Sequence, residues 1–244
     1  MDQHLYIVTG ASRGLGRAIA EQLLHPGHTL LGLSRQSPEA PPGLEQWACD
    51  LAEPLPVAER LAAWLRQFDA SRFASASLIN NAAMLTAPSP LADADLLALS
   101  QATRVGLEAP LVLTAAFLRA TRAWTGRRRV LHISSGLGRR GMASSGPYCA
   151  VKAGLDNLAR AQVLEEALQT NGAKVCSLAP GIIDTDMQVQ LRGADAKAFP
   201  DRDAFVQMKS GGKLDSPAAA AAKVIAYLHR ADFGCNPVGD VRDA

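Results

Sequence analysis

Short apolar blocks alternate along this chain with longer stretches of helical period. Residues 5–9 form the first apolar block and predict a strand. Ala18, Ile19, Leu23 and Leu24 follow at helical spacing, and that pattern stops at Pro26-Gly27. Residues 28–33 predict a second strand, after which Pro38, Pro41, Pro42 and Gly43 break the chain into a loop. Strands are predicted again at 47–50, 77–80, 130–134 and 173–179, with a last short one at 237–241. Between them, helices are predicted at 54–68, at about 93–120 with a break near Gly106, and at 147–169. Ser216-Pro217, an N-cap followed by a first-turn proline, opens an alanine-rich helix that runs to about Arg230.

Strand and helix alternate with no repeat and no second compositional regime. This predicts one α/β domain over residues 1–244, a doubly wound Rossmann arrangement with a seven-stranded parallel sheet flanked by helices. Ligands of such sheets bind beyond the carboxyl ends of the strands, where the strand order reverses. The chemically suggestive residues all fall there: Thr9–Gly16, Arg35, Asp50, Asn80-Asn81, Ser135 and Pro180-Gly181 each follow a predicted strand. Residues 183–212, which mix charge, glycine and irregular patterning, read as a lid over that edge.

Composition narrows the function classes. The chain has 244 residues, 48% hydrophobic and 20% charged, enough apolar material for a sizeable core. A net charge of +2 gives no electrostatic reason to expect nucleic acid or a membrane surface as partner. Arg127-Arg128-Arg129, the one dense basic run, reads as a solvated turn before a strand. Cys49, Cys149, Cys176 and Cys235 show neither metal nor disulfide spacing, and no histidine has a partner at ligand spacing, so no metal site is expected. With no leader pattern and no apolar run judged long enough for a bilayer, a cytoplasmic protein with free thiols is expected.

Two motifs carry chemistry. Tyr148 and Lys152 stand four apart on a predicted helix and so share a face. A nearby ammonium lowers the pKa of a phenol, which predicts a tyrosine able to exchange a proton at neutral pH. Gly10-x-x-x-Gly14-x-Gly16 follows a strand and opens a helix, where glycines let the backbone approach a pyrophosphate seated on the helix N-terminus. Strand two ends in Ser34-Arg35 with no carboxylate, and Arg13 lies in the glycine loop; two guanidiniums there predict NADP(H) rather than NAD. Asp50-Leu51 is placed to cap the adenine.

Thr9-Gly10-x-x-x-Gly14-x-Gly16, Asn80-Asn81-Ala82, Ser135, Tyr148-x-x-x-Lys152 and Pro180-Gly181 together resemble the short-chain dehydrogenase/reductases over nearly the whole chain. A narrower likeness, to benzil and sepiapterin reductases, rests on Ile133-Ser-Ser-Gly136, Tyr148-Cys149, Ala179-Pro-Gly181-x-x-Asp-Thr-Asp-Met187 and Gly212-Lys-Leu-x-Ser216-Pro217. The resemblance implies a small-molecule carbonyl substrate reduced by hydride transfer. Tyr148 is then the general acid, Lys152 the group that tunes it and holds the nicotinamide ribose, and Ser135 the group that fixes the carbonyl oxygen. It further implies that Gly10, Ser12, Arg13, Gly14, Leu15, Gly16, Ser34, Arg35, Asp50, Leu51, Asn81, Ala82, Pro180, Gly181, Ile183 and Thr185 bind the cofactor with Tyr148 and Lys152, and that Asn80 lines its groove.

Homodimers or homotetramers, paired through the helices near 93–120 and 147–170, are expected of such a family. Two departures stand out: Gly106 occupies the place of an asparagine that helps relay protons to the lysine, and Ala83 replaces a glycine. Asp240 or Asp243 stands near where sepiapterin reductases anchor a pterin. Sepiapterin-like reduction, and a sensor that binds NADP without turnover, are the competing expectations.

Overall fold

The computed structural model describes residues 3–36 and 40–243. Pro38 of the predicted loop lies outside the described residues. Seven strands form one parallel sheet in the order β3-β2-β1-β4-β5-β6-β7. They are β1 (Gln3–Thr9), β2 (His28–Ser34), β3 (Leu44–Ala48), β4 (Phe73–Asn80), β5 (Arg127–Ile133), β6 (Lys174–Ala179) and β7 (Val238–Asp240). The order reverses between β1 and β4, and every strand pairing is parallel.

Alternation along β1 shows how the sheet divides the core. Leu5 and Ile7 face one apolar layer, Tyr6 and Val8 the other. The first layer is covered by α2 (Pro54–Leu65), α4 (Ala109–Ala120) and α5 (Gly146–Ala167), through Leu61, Leu113, Phe117 and Ala159. The second is covered by α1 (Gly14–Gln22) and α8 (Pro217–Leu228), through Ile19 and Val224. The Ser216 hydroxyl accepts from the Ala219 N–H at 3.1 Å and caps α8 as its sequence predicts.

The basic run departs from expectation. Arg127–Arg129 open β5 rather than a turn, because Ser75, Ala76 and Ser77 of β4 pair with them. Arg128 is 5% exposed. Its guanidinium donates to the Asn171 carbonyl and lies 3.5 Å from Glu166, so burial is offset by hydrogen bonds and a partner charge.

The predicted lid has regular structure, with α6 (Asp186–Arg192) and α7 (Arg202–Ser210) packed over Phe199, which is fully buried. An isolated bridge between Ile183 and Asp215 joins the two stems of the lid.

The helix expected at 93–120 divides into α3 (Leu96–Thr103), a π-helical turn (Arg104–Glu108) and α4. Proline explains the place of the break. Pro110 has no N–H to give the Gly106 carbonyl, and its ring would crowd that carbonyl, so the chain widens by one residue just before it. The Ala109 N–H accordingly donates to Arg104 O, five residues back. Leu96–Ala120 is long and apolar enough by length and composition to cross a membrane, contrary to the sequence expectation. Here Leu113 and Phe117 are buried in the core against the sheet.

The π turn brings Gly106 against α5, where a Cβ would lie 2.6 Å from Val151 Cγ1. Gly106→Ala is therefore expected to destabilise. The gain in helix propensity is about 1 kcal/mol, whereas overpacking a filled core costs about 1–3 kcal/mol. Chemical denaturation should show the loss in Gly106→Ala and its recovery when Val151→Ala is added.

Candidate active site

Every residue assigned from the sequence to catalysis or cofactor binding, apart from the groove residue Asn80, lines one cleft of about 1310 Å³ at the carboxyl edge of the sheet. The cleft begins at the glycine loop. Gly10 and Gly14 have φ of +70° and +56°, a region that favours residues without a Cβ. A Cβ on Gly10 would lie 2.9 Å from Asn81 Nδ2, and one on Gly16 would strike the Gly10 carbonyl. Thr9 and Asn81 lock this packing: the Asn81 and Ala82 N–H groups both donate to Thr9 Oγ1 at 2.9 Å, and Asn81 Nδ2 donates to Thr9 O at 2.9 Å. No side chain caps α1 at Arg13, so its first-turn N–H groups are left for an anion. This donor set, and a cradle that a Cβ would fill, fit the pyrophosphate of a dinucleotide.

The adenosine end holds Ser34, Arg35, Asp50 and Leu51. The Ser34 hydroxyl donates to Gln36 O at 2.7 Å and so shapes the turn after β2. Arg35 has no ion-pair partner among the described residues. Arg13 lines the cleft as well, and its guanidinium pairs with Asp186 at the start of the lid. Both side chains are about 70% exposed (69% and 73%), which limits the strength of the pair to about 1 kcal/mol or less.

Asn80 also departs from expectation. It is buried behind the cleft, where its Nδ2 donates to Thr114 Oγ1 at 3.0 Å and to His132 Nδ1 at 3.2 Å. The Gln162 Oε1 at 2.9 Å from His132 Nε2 can only accept, which puts the ring proton on Nε2 and leaves Nδ1 to accept from Asn80. Burial pushes His132 down to about 4, so it is neutral at ordinary pH.

The reacting end of the cleft is built from three elements. Ser135 follows β5, and its hydroxyl accepts from the Leu137 N–H at 3.2 Å. Tyr148 and Lys152 project from α5, whose first turn contains Pro147. Lys152 is 2% exposed, and its ammonium donates to Ile133 O at 2.6 Å. That ammonium lies 5.5 Å from the centre of the Tyr148 ring.

The electrostatics reverse one expectation. Burial raises Tyr148 to about 12, although a hydrogen bond with Ser135 pulls the other way. The lowering expected from Lys152 is not found: its ammonium is directed at Ile133 O, 5.5 Å from the ring centre, and loss of water around the phenol dominates. Lys152 itself is pushed down to about 8 by burial, with Asp156 opposing.

Sequence reasoning passed over Asp156. It lies on α5 one turn beyond Lys152 and is 2% exposed. Its Oδ1 accepts from Ser134 Oγ at 2.6 Å and from Ser177 Oγ at 2.7 Å. Arg139 approaches Oδ2 to 3.6 Å. The i,i+4 spacing from Lys152 was the available signal. Asp240, a proposed pterin anchor, has both carboxylate oxygens engaged by Arg242, at 2.8 and 2.5 Å, with Arg139 3.7 Å away.

A family profile described as short chain dehydrogenase matches residues 4–196. The chain is 32% identical to a benzil reductase ((S)-benzoin forming) of Bacillus cereus over 243 residues, covering 96% of each chain. It is 33% identical to the sepiapterin reductase of Rattus norvegicus, over 93% of this chain and 92% of the relative. A solved short-chain dehydrogenase/reductase from Burkholderia vietnamiensis superposes with a TM-score of 0.66 at 34% identity, covering 99% of this chain and 98% of that one. A dinucleotide cradle, and a serine, tyrosine and lysine facing one cleft, thus recur in a chain whose relatives match along nearly its whole length: it belongs to the short-chain dehydrogenase/reductase family of oxidoreductases.

Proposed function

We propose that this protein is an NADPH-dependent carbonyl reductase acting on a small ketone or diketone of the benzil type. One observation carries the reading: Ser135, Tyr148 and Lys152 face the same cleft that begins at the glycine loop. When bound, the reduced nicotinamide supplies a hydride to the carbonyl carbon. Ser135 holds the carbonyl oxygen, and Tyr148 gives its phenolic proton to that oxygen as it becomes an alcohol. A phenol raised to about 12 keeps its proton at neutral pH and is suited to donation. Lys152, charged below about 8, orients the ribose and passes a proton to the Tyr148 phenolate as that residue is reloaded. Met142, Met187 and Met208 line the substrate end with adaptable apolar surface, and residues 183–212 act as its lid.

Arg35, which has no ion-pair partner among the described residues and ends a strand lacking a carboxylate there, supports NADPH over NADH. The benzil reductase relatives support the diketone, and the engagement of Asp240 with Arg242 argues against a pterin anchor at that position. Leu96 and Leu97 on α3, Leu164 on α5 and Leu168 just past its end, all exposed, support a homodimer or homotetramer joined through these helices. Four free thiols, Cys176 among them buried, support a reducing, cytoplasmic setting.

Loss of NADPH absorbance with benzil, isatin and sepiapterin tests the reading. Benzil-type diketones are expected to turn over, and absence of turnover with every carbonyl would overturn it in favour of a binding protein. Arg35→Ala is expected to raise KM for NADPH about 10-fold or more and leave that for NADH nearly unchanged. A lost charge-assisted hydrogen bond is worth about 1.5–3 kcal/mol.

A further inference from the structure

The strongest buried polar assembly left out of that mechanism surrounds Asp156. Its carboxylate joins three elements: it stands on α5 with Tyr148 and Lys152, accepts from Ser134 beside Ser135, and accepts from Ser177 of β6. The turn after Ser135 is fitted closely over it. A Cβ on Gly138 would lie 2.8 Å from Asp156 Oδ2 and 3.0 Å from the Lys152 carbonyl. Oδ2 makes no hydrogen bond among the described residues; its near neighbour is the Arg139 guanidinium at 3.6 Å. An ionised carboxylate with two neutral hydroxyl donors retains most of its field, and a buried medium screens that field weakly.

We propose that Asp156 is a positioning residue of the reduction, a fixed negative charge behind α5 that keeps the Lys152 ammonium charged, with Arg139 moderating its strength. This rests on the carbonyl-reductase reading. The other groups facing the pair do not supply that charge. On α5, Tyr148 is a neutral phenol. From β5, His132 is neutral. Cys176 of β6 is a thiol raised to about 11 by burial. Asp240 of β7 is bonded to Arg242 and lies beyond Arg139. Gly106, in the place of the family's relay asparagine, offers Lys152 no side-chain support from the π turn. Asp156 does, and its two serine bonds fix it at the back of the helix rather than in the cleft.

The test uses two variants with opposed expectations. Asp156→Asn keeps the shape and removes the charge; the alkaline limb of the kcat–pH profile for diketone reduction is expected to move to lower pH by about one unit. Arg139→Gln leaves the carboxylate uncompensated, and the limb is expected to move to higher pH. KM for NADPH should change less than kcat in both. A purely structural role would lower kcat with the limb unmoved in both variants, and that result would overturn the proposal. Should Asp156→Asn fail to fold, the direction of the Arg139→Gln shift decides alone, and an unmoved or acid-shifted limb refutes. The Lys152 titration, followed by NMR of labelled lysine and identified by its loss in Lys152→Met, gives a readout independent of turnover. If no carbonyl is reduced but that titration moves as stated, the carbonyl-reductase reading fails and the charge assignment stands. If carbonyls are reduced and the titration stays fixed, the assignment fails.

Discussion

Tyr148→Phe is expected to lower kcat for diketone reduction by about 10²–10⁴-fold, the range contributed by a positioned general acid. Stopped-flow or steady-state NADPH oxidation measures it. NADPH affinity, followed by fluorescence titration, should stay within about threefold, because removing one hydroxyl leaves the glycine loop and Lys152 in place. The wild-type pH profile carries a further expectation with a definite sign. Desolvation depresses Lys152 to about 8, so its charge is present below that pH and lost above it. Tyr148, raised to about 12, holds its proton across the same window. Reduction should therefore be level in mild acid and fall as pH rises through about 8, with the lysine rather than the tyrosine setting the limb. A profile that rises through that region would refute the assignment of Tyr148 as proton donor and Lys152 as its charged support.

Gly16→Ala is expected to remove cofactor binding and stability together. The added methyl would strike the Gly10 carbonyl oxygen and Asn81 Nδ2, and would lie 2.9 Å from the Gly10 carbonyl carbon. Neither neighbour can withdraw cheaply: Gly10 is part of the turn itself, and the Asn81 amide is tied to Thr9 O. Overpacking costs about 1–3 kcal/mol and more when backbone must move. For a chain of this size each kcal/mol lowers Tm by about 2–4 °C, so a drop of about 5 °C or more is expected by calorimetry. Gly141→Ala, where a Cβ meets nothing within 4 Å, is the control and should leave Tm nearly unchanged. An unaltered melt and NADPH titration in Gly16→Ala would mean that the loop is looser than its packing indicates.

The layered sheet and the cleft were legible because each is written in local pattern. Four apolar residues running into Thr9-Gly10 make a buried parallel strand and its turn, and that signal needs no distant partner. Pro110 was equally legible in principle, since a helix must yield within one turn of it, and the break fell at Gly106 as expected. What escaped depends on long-range pairing. Arg128 reads as solvent-facing until the Asn171 carbonyl and Glu166 come beside it. Asn80 reads as a cleft residue until Thr114 and His132 turn it inward. The Tyr148 shift was misread for another reason: sequence shows that a lysine is near, but the balance between its charge and the loss of water depends on burial. Asp156 was hidden because an acid after a lysine on a helix usually marks a wet surface; only Ser134 and Ser177 show that this one is dry.

The pair between Arg13 and Asp186 has a kinetic consequence. It ties the glycine loop to the first residue of α6, across the mouth of the cleft, with both side chains in solvent. Such a tie weakens as counter-ions gather, over a distance of about 8 Å at physiological ionic strength. A phosphate arriving at the loop offers Arg13 a stronger anion than Asp186, and the two compete for one guanidinium. With the pair worth about 1 kcal/mol or less, occupation of the loop is expected to loosen α6 slightly rather than fasten it.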